Sequence, residues 1–278
     1  MGLKVRKSWG KDGCKALYHS LKHGEPIYDW GGVSGTRRVV LENYDGGFYG
    51  SNEFREQHSK KFEGKLHKGE TVYYEVVGFT HTGASIMGEC SNKKLNDKEF
   101  VIQYGETTVF SYGCDPTPTI VDTKEIENGV AITIKPQSDI YVYRMTMTNE
   151  DGDVIEYPPH LIAYRCKQMC IPMVPVEWEG FIPDDLPVTN FSVNEEGHKE
   201  FVKDNSAGEW VKEKAEEFFD GPEPLDPRHV REGVVVRIVN RKNFTVFKTK
   251  NFNFKLLEGI IKDNAEKPDL EEQEEINK

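Results

Sequence analysis

The chain lacks the features that would place it in a membrane or direct it to secretion. Its 278 residues contain no apolar run close to the roughly 18 residues that a membrane-spanning helix needs. Residues 1–15 are basic and polar, without the apolar segment of a secretory signal peptide. These absences predict a soluble, cytoplasmic protein with no membrane partner.

Cysteine is scarce, and its spacing forms no metal motif. The five cysteines are an odd number, and no two of them form a Cys-x-x-Cys pair. A structural zinc site normally needs four well-spaced ligands. We therefore expect reduced cysteines that mostly have packing roles, and Cys166 and Cys170, at helical spacing, are expected to be core or partly exposed thiols.

An excess of positive charge is also absent. The net charge of −11 argues against a protein that coats nucleic acid without selection. Seven of the acidic residues lie in residues 263–278, which we expect to be a frayed or disordered acidic tail. A locally basic cleft in residues 1–262 is compatible with this charge balance.

Hydrophobic residues make up 37% of the chain, enough for a substantial core. Strands and helices follow one another without a regular βαβ order, which predicts an α+β fold of mostly antiparallel sheets flanked by helices. Residues 129–135 and 139–147 are predicted to pair as a hairpin, and residues 83–118 to be rich in loops. Further strands are predicted at residues 35–42, 71–79, 233–239 and 245–250, and helices at 52–66, 160–170 and 208–219.

The most informative stretch is the predicted strand pair of residues 233–239 and 245–250. Glu232 precedes the first strand, and Lys248 and Lys250 end the second. Side chains two residues apart lie on the same face of a strand, so we expect both ammonium groups to converge. One acid beside two lysines suits a polyphosphate with its divalent ion. The alternative is a solvated hairpin with ordinary surface charges.

Three other segments carry candidate binding residues. Glu75 lies within an otherwise apolar strand, where a carboxylate must be paired, hydrogen-bonded or functional, because burying it alone is costly. Tyr143 lies in a strand that alternates aromatic and other residues, and its ring could stack on a base. Arg37 lies at the start of a strand, and a guanidinium group suits bidentate contacts with phosphate.

In this order the segments resemble the covalent nucleotidyltransferase superfamily, most closely the ATP-dependent RNA ligases. The family's acid in an apolar strand is matched at Glu75, and its aromatic strand at residues 141–145. Its Glu-Gly-φ-φ-φ-Lys/Arg motif, where φ is apolar, is matched at residues 232–237, and its Lys-x-Lys motif at residues 248–250. The resemblance covers residues 34–262. It implies an ATP-grasp-like nucleotidyltransferase domain over residues 1–262, without an OB-fold domain.

The resemblance also implies a role for each matched residue. Tyr143 would stack on adenine, and Glu75 would bind the ribose hydroxyls. Glu232 would hold the sugar or the catalytic Mg²⁺. The α-phosphate would be neutralised by Lys248 and Lys250. Arg37 would contact a phosphate of the nucleotide or of the nucleic-acid end.

The activity implied is sealing of RNA 5′-phosphate and 3′-hydroxyl ends with ATP and Mg²⁺ through an adenylylated intermediate. The partners would be ATP or AMP and RNA ends, including those of a nicked duplex. The alternative is a non-catalytic protein, derived from a ligase, that binds a nucleotide or an RNA end.

The family's nucleophile motif, Lys-x-Asp/His-Gly, has no clear match. Lys7 has the right spacing to Gly10, but Trp9 stands in place of Asp or His; Lys11 is followed directly by Asp12 and Gly13. We therefore expect a chain that starts downstream of its nucleophile, through truncation, a late start codon or a split gene, and self-adenylylation is doubtful in this chain alone. In a split gene, a separate N-terminal fragment carrying the nucleophile would be a partner. A degenerate motif at Lys7 or Lys11 is the alternative.

Overall fold

The fold is mixed α+β with antiparallel sheets, which confirms the predicted class. The structure is a computed structural model, and it describes residues 2–6, 28–35, 40–41, 53–126, 129–149, 151–186, 191–193, 195, 199–201, 206–239 and 245–262. Within these residues there are five α-helices, and no helix is long and apolar enough to cross a membrane. An OB-fold is not evident in the same part of the chain.

The strands are numbered in chain order. They are β1 (Gly2–Arg6), β2 (Tyr28–Gly32), β3 (Ser34–Gly35), β4 (Val40–Leu41), β5 (Glu70–Gly78), β6 (Glu89–Ser91), β7 (Thr107–Val109), β8 (Thr119–Ile126), β9 (Gly129–Lys135), β10 (Ser138–Thr148), β11 (Val154–Glu156), β12 (Phe191–Val193), β13 (Lys199–Phe201), β14 (Gly233–Ile238) and β15 (Thr245–Lys250). The helices are α1 (Glu53–Lys60), α2 (Lys98–Tyr104), α3 (Pro159–Met169), α4 (Ser206–Glu216) and α5 (Phe252–Lys262).

The chain divides into two compact units. Unit 1 contains the described elements of Met1–Glu89 and Val109–Val174, and unit 2 contains those of Cys90–Thr108 and Pro175–Asp263. The prediction of one catalytic domain over residues 1–262 stays a prediction, and the acidic tail of residues 263–278 lies outside the described residues.

Unit 1 is built on a three-stranded antiparallel sheet in the order β11–β10–β5. The central strand β10 contributes Ile140, Val142 and Met145 to the core, where all three are fully buried. Helix α3 supplies Ile162, Cys166 and Met169, whose i, i+4, i+7 spacing places them on one face. One cluster of buried core residues in this unit consists of Phe62, Val72, Ile140, Val142, Met145, Tyr157, Ile162, Cys166, Met169 and Ile171.

The predicted pairing of residues 129–135 with 139–147 is wrong. Strand β9 pairs with β8, which was not predicted, and β10 pairs with β5 and β11. An alternating pattern specifies which face of a strand is buried but not which strand is its partner. Pro136 and Gln137 lie between β9 and β10. The carbonyl of Gln137 accepts a hydrogen bond from Phe79 N at 2.9 Å. This bond lies at the end of β5, the strand that pairs with β10.

The segment 83–118 is more ordered than predicted. It contains helix α2, for which Asp97 is the N-cap: its side chain accepts a hydrogen bond from Phe100 N at 3.0 Å. Phe100 and Tyr104 are buried. An aspartate before a helix and a glycine after it are the usual boundary signals, so this helix was readable from the sequence.

Unit 2 contains the antiparallel hairpin β14–β15 together with α2, α4 and α5. The predicted strands at 233–239 and 245–250 and the predicted helix at 208–219 are all present, with boundaries shifted by up to three residues. Trp178 and Trp210 meet edge to face with ring centroids 5.7 Å apart, a favourable geometry for two packed aromatic rings.

A buried ion pair fastens α3 to the first residue of β5. Arg165 donates to both carboxylate oxygens of Glu70, with Nε at 2.8 Å and Nη2 at 2.7 Å, and also to the carbonyl of Lys65 at 2.9 Å. The Glu70 carboxylate also accepts from the backbone of His67 at 3.0 Å. Burial alone would raise the pKa of Glu70, but the hydrogen bonds from Arg165 and His67 outweigh it and leave the pKa below its ordinary value.

His58 on α1 is a buried histidine. Its side chain is 2% exposed, and Nε2 lies 2.9 Å from the hydroxyl of Ser138. Burial, followed by the positive charge of Lys61, lowers the pKa of His58 from 6.5 to about 4, although nearby Asp139 acts in the opposite direction. His58 is therefore neutral in the folded protein at neutral pH.

This burial predicts a loss of stability in mild acid. As the pH falls below 6.5, the unfolded state takes up a proton that folded His58 does not accept until the pH approaches 4. Stability is therefore lost through this window, by about 2 kcal/mol at pH 5 relative to pH 7. Urea unfolding at the two pH values measures this loss. His58→Gln should remove most of the loss of stability that His58 causes between pH 7 and pH 5. An unchanged pH dependence of stability in that variant would contradict the assignment of the loss to His58.

Candidate functional site

The hairpin β14–β15 in unit 2 fixes the positions of Glu232, Lys248 and Lys250. In its register Gly233 lies opposite Lys250, and Val235 lies opposite Lys248. Gly233 has φ 142°, and a Cβ atom added there would lie 2.1 Å from the carbonyl oxygen of Thr249. Only glycine tolerates both the conformation and this close approach. Glycine is therefore needed at position 233, because only this residue lets the chain pass from Glu232 into the tightly paired strand β14.

The two lysines of this hairpin have different surroundings. Lys250 Nζ lies 2.9 Å from Glu258 on α5 and 3.6 Å from Glu232, and its side chain is 30% exposed. Lys248 is exposed and forms no ion pair with any residue that the structure describes. The lysines occupy alternate positions on one strand, as predicted, but only Lys250 is held by carboxylates.

Glu232 is the residue predicted to bind the divalent ion. Its side chain is 43% exposed, so the carboxylate is accessible to a cation. Magnesium usually keeps several waters and is bound by one or two carboxylates plus substrate phosphates, and this mode needs no cluster of protein ligands. Within the described residues, no group of three or more His, Cys, Asp or Glu side chains could hold a metal. An accessible carboxylate of this kind fits an ion that is shared with substrate phosphates.

In unit 1, Glu75 and Tyr143 lie on adjoining strands of the central sheet. Glu75 on β5 is directly opposite Tyr141 on β10. The register shifts between Val142 and Arg144, which leaves Tyr143 as the extra residue of a β-bulge. A bulge disturbs the alternation of side chains. Here buried Val142 is followed by exposed Tyr143 and half-buried Arg144, before Met145 returns to the core.

The bulge forms an aromatic and cationic group on the face away from the core. The rings of Tyr143 and Tyr73 are 6.4 Å apart, and the Arg144 guanidinium lies 4.6 Å from the centroid of the Tyr73 ring. Glu156 on β11 accepts hydrogen bonds from Arg144 Nε and Nη2. The hydrogen bond with Glu156 outweighs the burial of Arg144 and raises its pKa, so the guanidinium stays charged. The Tyr143 side chain is 42% exposed, which leaves ring area for a stacking partner.

Glu75 is exposed, so its carboxylate does not carry the cost of burial that its apolar neighbours in the sequence predict. The buried acid of this strand is Glu70, five residues earlier, and its partner is Arg165. Glu75 lies on the same face as Tyr73, since the two are two residues apart on β5. Its predicted contact with a ribose needs an accessible carboxylate, which the strand provides.

Three predicted residues lie outside the described part of the chain. They are Arg37, Lys7 and Lys11. The remaining five fall into two groups, one in each unit: Glu75 and Tyr143 on the β5–β10 face, and Glu232, Lys248 and Lys250 on the β14–β15 hairpin.

Sequence reasoning missed the side chains that hold the predicted residues in place. Glu258 lies on α5, eight residues after Lys250, and pairs with it. The local sequence pattern does not predict this contact. Arg144 and Glu156 support the tyrosines through a bulge that the alternation did not reveal. Asn251 was readable, because asparagine before an apolar helical run is a typical N-cap.

Comparison of the chain with models of protein families, with curated proteins and with solved structures found no match. Function must therefore be argued from the residues of the two groups.

Proposed function

We propose that the chain is an RNA ligase-type nucleotidyltransferase that uses ATP and Mg²⁺ to join a 5′-phosphate end to a 3′-hydroxyl end. The observation that supports this most is the β14–β15 hairpin. It combines an accessible carboxylate, a glycine demanded by the backbone and an exposed lysine on one strand pair. This combination favours a phosphate-binding role for the hairpin over that of a solvated hairpin with ordinary surface charges. A cytoplasmic location is part of the same proposal.

In the proposed sealing step, the hairpin binds the phosphates of an adenylylated RNA end. The 3′-hydroxyl oxygen forms a bond to the 5′-phosphate phosphorus, the bond from that phosphorus to the AMP phosphate breaks, and AMP leaves with the electron pair. The hydroxyl proton passes to water. Lys248 stabilises the negative charge on the phosphates, and such stabilisation with correct positioning supplies most of the catalysis in phosphoryl transfer.

The divalent ion would be held by Glu232 together with the phosphates. When bound, it supplies positive charge that stabilises the transferring phosphate. The hairpin's own contribution is to constrain the backbone next to Glu232 through the close pairing at Gly233.

The β5–β10 face of unit 1 is proposed, by itself, to bind adenosine. Tyr143 offers an exposed ring for stacking on adenine, and Glu75 offers carboxylate oxygens that accept hydrogen bonds from ribose hydroxyls. Arg144, fixed by Glu156, keeps the neighbouring Tyr73 ring in place.

A non-catalytic protein that binds a nucleotide or an RNA end is the second candidate. The carboxylates that flank Lys250 favour it, because they reduce the positive charge available to a transferring phosphate. Incubation with α-labelled ATP and Mg²⁺ separates the candidates. The ligase proposal is supported by a labelled adduct that survives denaturation and is lost in Lys7→Ala or Lys11→Ala. An absent adduct together with failure to seal a pre-adenylylated strand would reduce the function to binding.

Tyr143→Ala is expected to weaken ATP binding about tenfold, because stacking of a base on an aromatic side chain contributes about 1–3 kcal/mol. Tyr143→Phe keeps the ring and should bind ATP nearly as well as the natural chain. Tyr164 on α3 is a matched control in the same unit, since it is 59% exposed and belongs to neither group. Calorimetric titration with ATP measures all three variants. Equal losses in Tyr143→Ala and Tyr164→Ala would contradict the stacking role.

A further inference from the structure

The two lysines of the β14–β15 hairpin, although they share one strand, differ in their counter-ions. Lys250 lies between the carboxylates of Glu258, at 2.9 Å, and Glu232, at 3.6 Å, and 5.4 Å from the centroid of the Phe254 ring. Lys248 has no such carboxylates among the residues that the structure describes. One of the two positive charges is therefore already balanced within the protein.

The position of Glu258 is set by the way α5 is attached to the hairpin. Asn251, 1% exposed, caps the helix: its side-chain oxygen accepts from Asn253 N at 2.8 Å and Phe254 N at 3.2 Å. The backbone N–H of Asn251 donates to the carbonyl of Glu232 at 2.9 Å. The start of α5 is thus hydrogen-bonded to the residue that carries the candidate metal ligand.

The helix is also anchored by its apolar side. Phe254 is 2% exposed, Leu257 is fully buried, and Glu258 lies one turn after Phe254. The Lys250–Glu258 pair, with both side chains 30% exposed, is more enclosed than an ordinary surface pair such as Lys212–Glu216, which spans 3.8 Å with side chains 77% and 49% exposed. Glu258 is therefore a fixed counter-ion of Lys250.

We propose that Glu258 is a positioning residue that sets the affinity of the hairpin for the polyphosphate of a nucleoside triphosphate by competing with it for Lys250. This inference rests on the proposed function. Phosphate first meets the positive charge of Lys248, and it engages Lys250 only by displacing the Glu258 carboxylate. The carboxylates of Glu232 and Glu258 and the ammonium of Lys250 together carry a net charge of −1, so this part of the hairpin opposes an anion until Glu258 is displaced.

The test is calorimetric titration with ATP and with inorganic tripolyphosphate at fixed ionic strength, for the natural chain and for Glu258→Gln. Removal of this competing charge is expected to tighten binding about two- to fivefold, in line with the strength of a partly exposed ion pair. Glu216→Gln removes the same charge from α4 in the same unit and should leave the affinity unchanged. Glu258→Gln should no longer tighten binding when Lys250→Met is also present, that is, when Lys250→Met alone is compared with Lys250→Met plus Glu258→Gln.

The outcomes separate this inference from the proposed function. Binding by the natural chain with no tightening in Glu258→Gln, or the same tightening in Glu216→Gln, overturns the role of Glu258 alone. Binding of either probe only after Glu258→Gln supports it, since the carboxylate then masks the site. Failure of both chains to bind either probe overturns the phosphate site and the inference together.

Discussion

Glu70→Ala is expected to lower the free energy of unfolding of unit 1 by about 3–5 kcal/mol, because it leaves the buried Arg165 guanidinium without its counter-ion. Glu70 is fully buried and Arg165 is 7% exposed, so water cannot replace the lost carboxylate at low cost. Urea unfolding followed by circular dichroism measures the loss. The pKa of Glu70 is lowered in the folded state, so the carboxylate's contribution is present at neutral pH and is lost as the pH falls through the folded-state pKa.

Two further variants show whether the loss comes from the buried charge. Glu70→Leu with Arg165→Met replaces the pair by apolar side chains and should recover much of the stability. Glu56→Ala removes a carboxylate from the exposed Lys60–Glu56 pair on α1 and should cost less than about 1 kcal/mol. A loss in Glu70→Ala as small as that in Glu56→Ala would show that the buried pair does not fasten α3 to β5.

Glu232→Ala is expected to slow the sealing of a pre-adenylylated RNA strand by about a hundredfold or more, the usual effect of losing a group that stabilises transition-state charge. Lys248→Ala should slow it by about tenfold or more, because it removes the exposed ammonium group of the hairpin. The rate of joining under single-turnover conditions, with Mg²⁺ and without ATP, measures the chemical step apart from self-adenylylation.

Glu216→Ala is the matched control for these rates. It removes a carboxylate that is 49% exposed from α4 of the same unit and should leave the rate unchanged. Circular dichroism and urea unfolding confirm that each variant is folded. If Glu232→Ala seals as fast as Glu216→Ala, the hairpin is not part of the site.

The sequence predicted those parts of the structure that depend on local patterns. The β-branched run after Glu232 and the second strand ending at Lys250 both form, because strand propensity and the glycine at 233 agree with the pairing. The apolar face of α3 likewise follows from residues spaced three and four apart.

The errors arose where the outcome depends on contacts between distant residues. Strand β9 had an alternating pattern, but its partner β8 could not be identified from that pattern. The bulge at Tyr143 and the burial of His58 depend on packing that is absent from the local sequence. The apolar neighbours of Glu75 predict a buried carboxylate, yet the β5 face that carries it is exposed at that residue.

The most direct test of the central claim is the sealing of a pre-adenylylated RNA strand to a 3′-hydroxyl acceptor by the unmodified chain, with Mg²⁺ and no ATP. The proposed function predicts a joined product and release of one AMP for each joint. No joined product and no AMP released, from a chain that binds the same strand, would contradict the ligase proposal and leave a protein that only binds RNA ends.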